Sequence, residues 1–386
     1  MELSVGGRKI ARQSYGFDEV AVVPAAVSID VADVDTSWYL GDDCFKIPVI
    51  ASAMDGVVDP RLAAEMGRLG GLAVLNLEGL QTRCEDANAA IRQIVEALPD
   101  SAIPTIQRLY QEPIKLELIA KRIKEIKGAG QLAAVSATPA MIKKHSDTIF
   151  AAGPDIMVIQ STVTTAEFRS SRGESVSIAD FCKNSPVPVM VGNCVTYDGA
   201  MSLMQAGADA VLVGVGPGAA CTTRKVCAIG VPQITAVADG AAARDNFEER
   251  TGKYVPIIAD GGMRSGGDIV KAIVAGADAV MIGSPIAATS EAPGKGYHWG
   301  MATSHPGLPR GTRVQVGIKG TLEELLYGPA KTDNGTMNLI GALRLAMSYC
   351  GAMTIKDMQK VELVVAPSLT TEGKTAQRAQ GVGQWR

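Results

Sequence analysis

Cys221 sits in the run GVGPGAACTTR at residues 214–224, directly after the short apolar stretch Ala210-Val-Leu-Val213. A buried strand that opens into glycines and then a lone cysteine puts a thiol at the rim of a parallel sheet, where α/β folds bind ligands and do chemistry. Glycines let the backbone curl tightly, so several N–H or C=O groups can converge on a ligand or an ion. A thiol held there is a candidate nucleophile, because polarising neighbours can lower its pKa. The alternative is a buried cysteine beside an ordinary turn. The flanking Gly-Pro-Gly and Thr-Thr-Arg argue against it.

A second chemical run is ADGGMRSGG at 259–267, which follows another apolar stretch and precedes a helical pattern. Backbone N–H groups of Gly261 and Gly262, with a helix N-terminus behind them, make an anion site. Asp260 offers two acceptor oxygens to a pair of vicinal hydroxyls, as on a ribose. Gly283-Ser284 ends a further apolar stretch in the same donor-rich way. Asp260 as a plain turn former or helix cap is the competing reading. The paired loops favour a bound sugar phosphate, because barrel enzymes often hold phosphate at their last two loops.

These residues need strands to position them. Short apolar runs at 48–52, 72–75, 132–135, 156–159, 187–190, 210–213, 256–259 and 279–282 are each bounded by Gly, Pro or Asp and joined by mostly helix-compatible segments. Eight buried parallel strands alternating with helices predict a closed (β/α)8 TIM barrel, with an open doubly wound sheet as the competitor. An internal echo supports the barrel: AGADAVLVG at 206–214 matches AGADAVMIG at 275–283, with a fainter copy, AGPDIMVI, at 152–159. Each copy reads as a helix C-cap glycine, a tight turn and a buried strand.

Residues 100–131 hold no clear barrel strand, only an amphipathic helical pattern at 119–127. Residues 294–313 are rich in Gly, Pro and His and are expected to form a lid loop on a catalytic domain spanning 1–367. The polar tail, 368–386, is expected to order only against a neighbouring subunit.

With 386 residues, 47% apolar and 20% charged, the chain can bury a large core. A net charge of −3 with no Lys/Arg block argues against a nucleic-acid surface. No apolar run is long enough for a membrane span, and the N-terminus lacks signal-peptide order. Seven cysteines without a C-x-x-C pair point to reduced thiols in a cytoplasm rather than a disulfide frame or zinc site. Three histidines, His145, His298 and His305, make a histidine-ligated metal centre improbable.

The ordered set SAMD at 52–55, Gly192-Asn193, GVGPGAACTTR, GVPQITAV at 230–237, ADGG at 259–262, ADAVMIGS at 277–284 and EAPG at 291–294 resembles the inosine-monophosphate dehydrogenase / guanosine-monophosphate reductase family. The likeness runs from about Gly16 to about Leu363. It implies that Cys221 attacks C2 of a purine nucleotide. In the dehydrogenase reaction the adduct delivers hydride to NAD, and the thioimidate is hydrolysed to xanthosine monophosphate. It also implies that Thr223 handles the water or leaving group. Asp260 would hold the ribose, and Gly261, Gly262, Gly283 and Ser284 the phosphate. Ser52, Met54, Asn193 and Gly218 would line the nucleotide, with Met301 and Ala302 reading the base edge. Gly216, Gly218 and Cys221 would offer carbonyls to a monovalent cation such as K⁺. The nicotinamide side falls on Gln160, Ser161, Thr162 and Gly214, and the family's oligomer is a tetramer or octamer.

The chain departs from the family at several points. Gln160-Ser161-Thr162 stands where many dehydrogenases carry Asp-Ser-Ser, and Ala219 replaces a phosphate-binding serine. A phosphate-binding tyrosine's slot falls on Tyr297 or His298. The flap run ATSHPGLPRG at 302–311 contains no Arg-Tyr pair to activate water, leaving Arg310 or His305 as the substitute base or as exposed loop positions. The thirty or so residues at 100–131 are too few for the regulatory CBS pair that family dehydrogenases commonly insert there. GVPQ and EAPG resemble the dehydrogenase, so the expected reaction is IMP to XMP with NAD. A GMP reductase using NADPH, a catalytically idle nucleotide-binding paralogue and a flavin-binding barrel oxidoreductase are the alternatives.

Overall fold

A computed structural model describes residues 2–168, 177–301, 312–366 and 375–380. Its centre is a closed barrel of eight parallel strands: β1 (Val49–Ala51), β2 (Leu72–Asn76), β3 (Ala134–Ala137), β4 (Ile156–Gln160), β5 (Val189–Cys194), β6 (Ala210–Val213), β7 (Ile257–Asp260) and β8 (Ala279–Ile282). Met281 of β8 pairs with Ile50 of β1, which closes the ring and excludes the open sheet.

All eight strands lie on or beside the expected apolar runs. β3 and β5 extend further at their C-terminal ends, through Ser136 and through Gly192-Asn193. Sequence patterning stops at the last apolar residue, whereas the barrel continues until its polar upper rim.

Strand alternation divides the residues cleanly. Ile50, Leu72, Val74, Ala134, Ile156, Val158, Met190, Ala210, Leu212, Ile258, Ala279 and Met281 fill the barrel interior. The intervening residues pack outward against helices. A hairpin of Trp38–Leu40 with Asp43–Phe45 closes the lower end, its Trp38 and Phe45 rings stacked at 4.9 Å. Carried one step upward, the inward parity falls on Ser52, Asn76, Ser136, Gln160, Gly192, Gly214, Asp260 and Gly283. The polar upper rim is therefore the top layer of the same alternation that builds the core.

The helices are α1 (Pro60–Arg68), α2 (Leu80–Arg83), α3 (Ala87–Glu96), α4 (Pro99–Leu109), α5 (Leu116–Gly128), α6 (Pro139–Ala151), α7 (Ile178–Asn184), α8 (Tyr197–Gln205), α9 (Thr223–Cys227), α10 (Gln233–Thr251), α11 (Gly266–Val274) and α12 (Ser284–Ala287). Side chains at the rim start several of them. Asp59, Thr138, Thr196 and Ser265 accept N–H bonds from the first turns of α1, α6, α8 and α11.

Between β2 and β3 the chain holds only α2 to α5, and α5 contains the helix expected at 119–127. After β8, β9 (Tyr297–His298) pairs antiparallel with β10 (Val314–Gln315). Residues 302–311 between them lie outside the described residues, and with them Ala302, His305 and Arg310. Of the tail, Thr375–Gln380 form a short helix and the rest lies outside the described residues. Among the described residues no helix is long and apolar enough to cross a membrane.

Candidate active site

The loop after β6 is built on two close approaches. Gly214, at φ +151°, brings its Cα so near Asp260 that a Cβ would lie 2.2 Å from the Asp260 carbonyl oxygen. Gly216, at φ +77°, leaves room for the Arg224 side chain. Arg224 Nε donates to the Val215 carbonyl at 3.1 Å and Nη2 to the Val231 carbonyl at 2.6 Å, so the guanidinium pins the loop from both ends. Burial lowers the Arg224 pKa, and the neighbouring Cys221 works against that shift.

Cys221 lies exposed on this loop, its N–H donated to the Gly218 carbonyl at 3.0 Å. Its sulfur is 3.2 Å from Oγ1 of Thr223, which is buried in the first turn of α9. All seven cysteines are free. Burial pushes the Cys194 thiol up to about 12 and the Cys182 thiol up to about 11, leaving them inert near neutral pH. Among the cysteines, Cys221 combines exposure, a place at the upper rim of the barrel and a hydroxyl neighbour.

Asp260 ends β7 beside it. Its Oδ2 accepts Gln160 Nε2–H at 2.9 Å and Asn193 Nδ2–H at 2.7 Å, and Gln160 Nε2 also donates to Asn193 Oδ1 at 3.1 Å. Among the described residues Oδ1 of Asp260 receives no donor. Burial in the barrel mouth pushes this carboxyl up to about 6, against the opposing pull of the Asn193 and Gln160 hydrogen bonds.

Asn193 reaches Asp260 because the β5–β6 register shifts between Gly192 and Cys194. That irregularity is held by Thr164, whose N–H donates to the Asn193 carbonyl at 2.9 Å and whose hydroxyl donates to the Gly192 carbonyl at 2.5 Å. Ser161 is engaged locally, its Oγ 2.8 Å from the Val163 carbonyl and 2.9 Å from Thr164 Oγ1. Thr162 follows in the same half-buried turn.

The anion loop differs in detail from its expected form. Gly261 donates its N–H to the Met281 carbonyl at 3.0 Å, continuing the barrel ladder, so that amide is already used. The start of α11 is likewise capped: Gly266 N–H goes to Gly335 and Asp268 N–H to Ser265 Oγ. Its dipole therefore acts from behind the glycine turn rather than through free amides. Across from it, Ser284 Oγ lies 2.9 Å from His298 Nε2. Burial drives the His298 ring down to about 4, so it is neutral near pH 7, and Nδ1 has no partner among the described residues. Tyr297 stacks under the Arg313 guanidinium at 4.7 Å. Met54 packs close to Gly283, its sulfur 3.0 Å from where a Cβ would stand, and Ser52 adjoins both.

One barrel mouth thus gathers an exposed thiol beside a hydroxyl, a carboxylate with donors on one oxygen only, and two glycine-bearing loops. Residues 14–376 match the family model described as IMP dehydrogenase / GMP reductase domain.

The chain belongs to this family.

The crystal structure of an IMP dehydrogenase/GMP reductase-like protein from Corynebacterium glutamicum superposes with a TM-score of 0.89 at 36% identity, covering 94% of this chain and 97% of that one. An uncharacterized oxidoreductase of Mycolicibacterium smegmatis is 41% identical over 94% of this chain and 99% of its own length. The inosine-5'-monophosphate dehydrogenase of Methanocaldococcus jannaschii is 28% identical over 93% of this chain and 94% of its own.

Within this family the two motifs that resemble the dehydrogenase branch serve the scaffold here. Gln233 of GVPQ is buried and donates through Nε2 to the carbonyls of Val213 at 2.7 Å and Asp260 at 3.2 Å, tying the end of β6 to the end of β7. Glu291 of EAPG accepts from Leu322 N–H at 2.9 Å. Neither the supporting role of Gln233 nor that of Thr164 is legible in the sequence. Polar spacing around them gives no local signal; only the folded contacts do. No group of three His, Cys, Asp or Glu poised for a metal occurs among the described residues.

Proposed function

We propose that this oxidoreductase acts at C2 of a purine nucleotide through a covalent bond from Cys221, converting IMP to XMP. The carrying observation is the exposed Cys221 thiol 3.2 Å from the Thr223 hydroxyl, beside a carboxylate with one unpaired oxygen. Cys221 sulfur forms the bond to C2 as C2 gives up hydride. Water then replaces sulfur at C2, releasing XMP and returning the thiol. Bound NAD supplies the hydride acceptor, and Oε1 of Gln160, which no described residue pairs, fits a hydroxyl on that side with Ser161, Thr162 and Gly214 nearby.

Asp260 Oδ1 accepts from the ribose hydroxyls, while Gln160 and Asn193 hold Oδ2 in place. Gly262, Gly283 and Ser284, steadied by neutral His298, take the phosphate. Ser52 and Met54 flank the base with Gly218, and Met301 with Ala302 reads its edge. Thr223, with His305 or Arg310, manages the water. K⁺ at the carbonyls of Gly216, Gly218 and Cys221, a homotetramer or octamer, and a reducing cytoplasm complete this reading.

A second reading has a specific observation in its favour. Hydrolysis of the adduct needs an activated water, and residues 294–313 contain no Arg-Tyr pair. GVPQ and EAPG, which resemble the dehydrogenase, hold the scaffold and do not decide the direction. A GMP reductase would use the same thiol to expel ammonia from C2 and then accept hydride from NADPH, giving IMP with no need of water. IMP is a ligand of the site in both directions.

Purified protein given IMP with NAD, or GMP with NADPH, and followed at the nicotinamide absorbance, separates the readings. NADH formed from IMP supports the dehydrogenase, and NADPH consumed only with GMP replaces it by the reductase. Cys221→Ala should abolish either turnover while IMP still raises the melting temperature. Surviving turnover would remove the covalent mechanism, and stabilisation by IMP without any turnover in the wild type would mark an idle binder.

A further inference from the structure

Helices α3 and α4 form a hairpin whose own core consists of Leu80, Ala90, Ile91, Ile94, Ile106 and Leu109. Two further members of that core are not ordinary packing residues. Tyr110 ends α4, and Trp299 comes from the segment after β9, fully buried although its chain neighbours border the barrel mouth. Trp299 Nε1–H donates to the Tyr110 hydroxyl oxygen at 2.8 Å, and that hydroxyl donates to Asp55 Oδ2 at 2.5 Å. Met301 Sδ lies 3.2 Å from the same oxygen. Asp55 is itself buried and also accepts Leu80 N–H at 2.7 Å, so its carboxylate is fixed to the start of α2.

The two segments joined through this one hydroxyl both border the nucleotide pocket. Asp55 follows Met54, and Trp299 precedes Met301. They are also in steric contact, since a Cβ on Gly56 would lie 2.8 Å from the Tyr297 carbonyl oxygen. The hairpin grips the other strand of the ribbon as well. Arg313 Nη1 donates to the carbonyls of Ile94 at 2.5 Å and Ala97 at 2.8 Å at the C-terminal end of α3, where the helix dipole favours a cation.

We infer that Tyr110 is a positioning residue: its hydroxyl sets the 52–55 and 299–301 segments at the separation that fits a purine base, and α3–α4 is the brace that holds it there. The inference deepens the reading that Met54 and Met301 line the base, and rests on it. A hydroxyl that accepts one bond and donates another, both away from solvent, fixes distances more tightly than apolar packing does.

Tyr110→Phe keeps the ring and removes only the hydroxyl. By isothermal titration the IMP dissociation constant should rise about tenfold, the scale of one lost buried hydrogen bond. KM for the nicotinamide partner should stay within about twofold of wild type, in line with a change confined to the base slot. Trp299→Phe should act in the same sense, and the double variant should bind IMP no more weakly than Tyr110→Phe alone, because both remove the same link. Should Tyr110→Phe not fold, Trp299→Phe carries the expectation by itself. A wild type that binds IMP and variants that lose melting temperature at unchanged IMP affinity would overturn the positioning role alone. A wild type that does not bind IMP would overturn the nucleotide reading and this inference with it.

Discussion

Asp260 and Asp278 stand at opposite ends of neighbouring strands and live in opposite electrostatic worlds. Asp278, below β8, has both oxygens filled: Oδ2 accepts from Arg244 Nη1 at 3.1 Å and Ile257 N–H at 2.8 Å, and Oδ1 from the Tyr254 hydroxyl at 2.6 Å, Gln359 at 3.1 Å and Lys356 at 3.2 Å. Asp260, above β7, has two amide donors on one oxygen and none on the other. A carboxylate surrounded by its full set of donors holds a fold together, whereas one left half-served in a desolvated mouth is prepared for a ligand. The lower carboxylate has donors on both oxygens, and the upper one on Oδ2 alone.

The largest effect that could break this contrast is at the bottom. Asp278→Asn removes the buried charge shared by Arg244 and Lys356 and leaves Arg244 with only the largely exposed Asp245, a loss approaching the roughly 3–5 kcal/mol seen when one member of a buried ion pair is removed. Denaturant unfolding should show that loss while the folded fraction binds IMP at wild-type affinity. A stability change under about 1 kcal/mol would mean that Asp245 alone compensates Arg244 and that the two ends differ less than their contacts suggest. Next in size is Asp260→Asn. Under the proposed function it removes a charge-assisted acceptor for the ribose hydroxyls, and it should weaken IMP binding about 100-fold while moving the melting temperature little, since no described cation pairs with this carboxylate. A large stability loss with intact IMP affinity would turn Asp260 into a second Asp278.

The same pair shows what could be read before folding. The repeated AG(A/P)D turns were legible as βα units, and the contacts explain the echo. Asp155, Asp209 and Asp278 each accept the N–H that opens the preceding odd-numbered strand, at Ala133, Val189 and Ile257, and each also meets a lysine: Lys127, Lys253 or Lys356. One bottom-end solution is therefore written three times, so it was visible in one dimension.

Cys221, Thr223 and Asp260 were legible because glycine punctuation after an apolar strand marks the rim. The hydrogen bond of the Gly261 amide to Met281 has no local signal, because whether an N–H joins the ladder or faces the barrel mouth depends on the register with β8. Tyr110 was invisible, since its partners Asp55 and Trp299 are 55 and 189 residues away and no local pattern records that meeting.

The smallest expected effect is also the sharpest, because it has a sign that differs between the free and the bound protein. With the Asp260 carboxyl pushed up to about 6, above the ordinary aspartate value of about 3.9, the free folded chain holds a proton there that the unfolded chain has already lost. Stability from this group is thus present at low pH and declines as pH rises between about 4 and 6. Ligand binding runs the other way, because ribose hydroxyls need the ionised acceptor. IMP affinity should therefore rise through pH 6, by about tenfold between pH 5 and pH 7. His298 stays neutral across that window, being held down to about 4, and adds no slope. The nucleotide phosphate, with a second pKa near 6, titrates in the same range. Asp260→Asn separates the two: in that variant the slope that remains belongs to the phosphate, and the difference from wild type belongs to Asp260. Parallel pH profiles for the two proteins would show that Asp260 is ionised throughout, and the waiting carboxylate would then be as settled as its counterpart below.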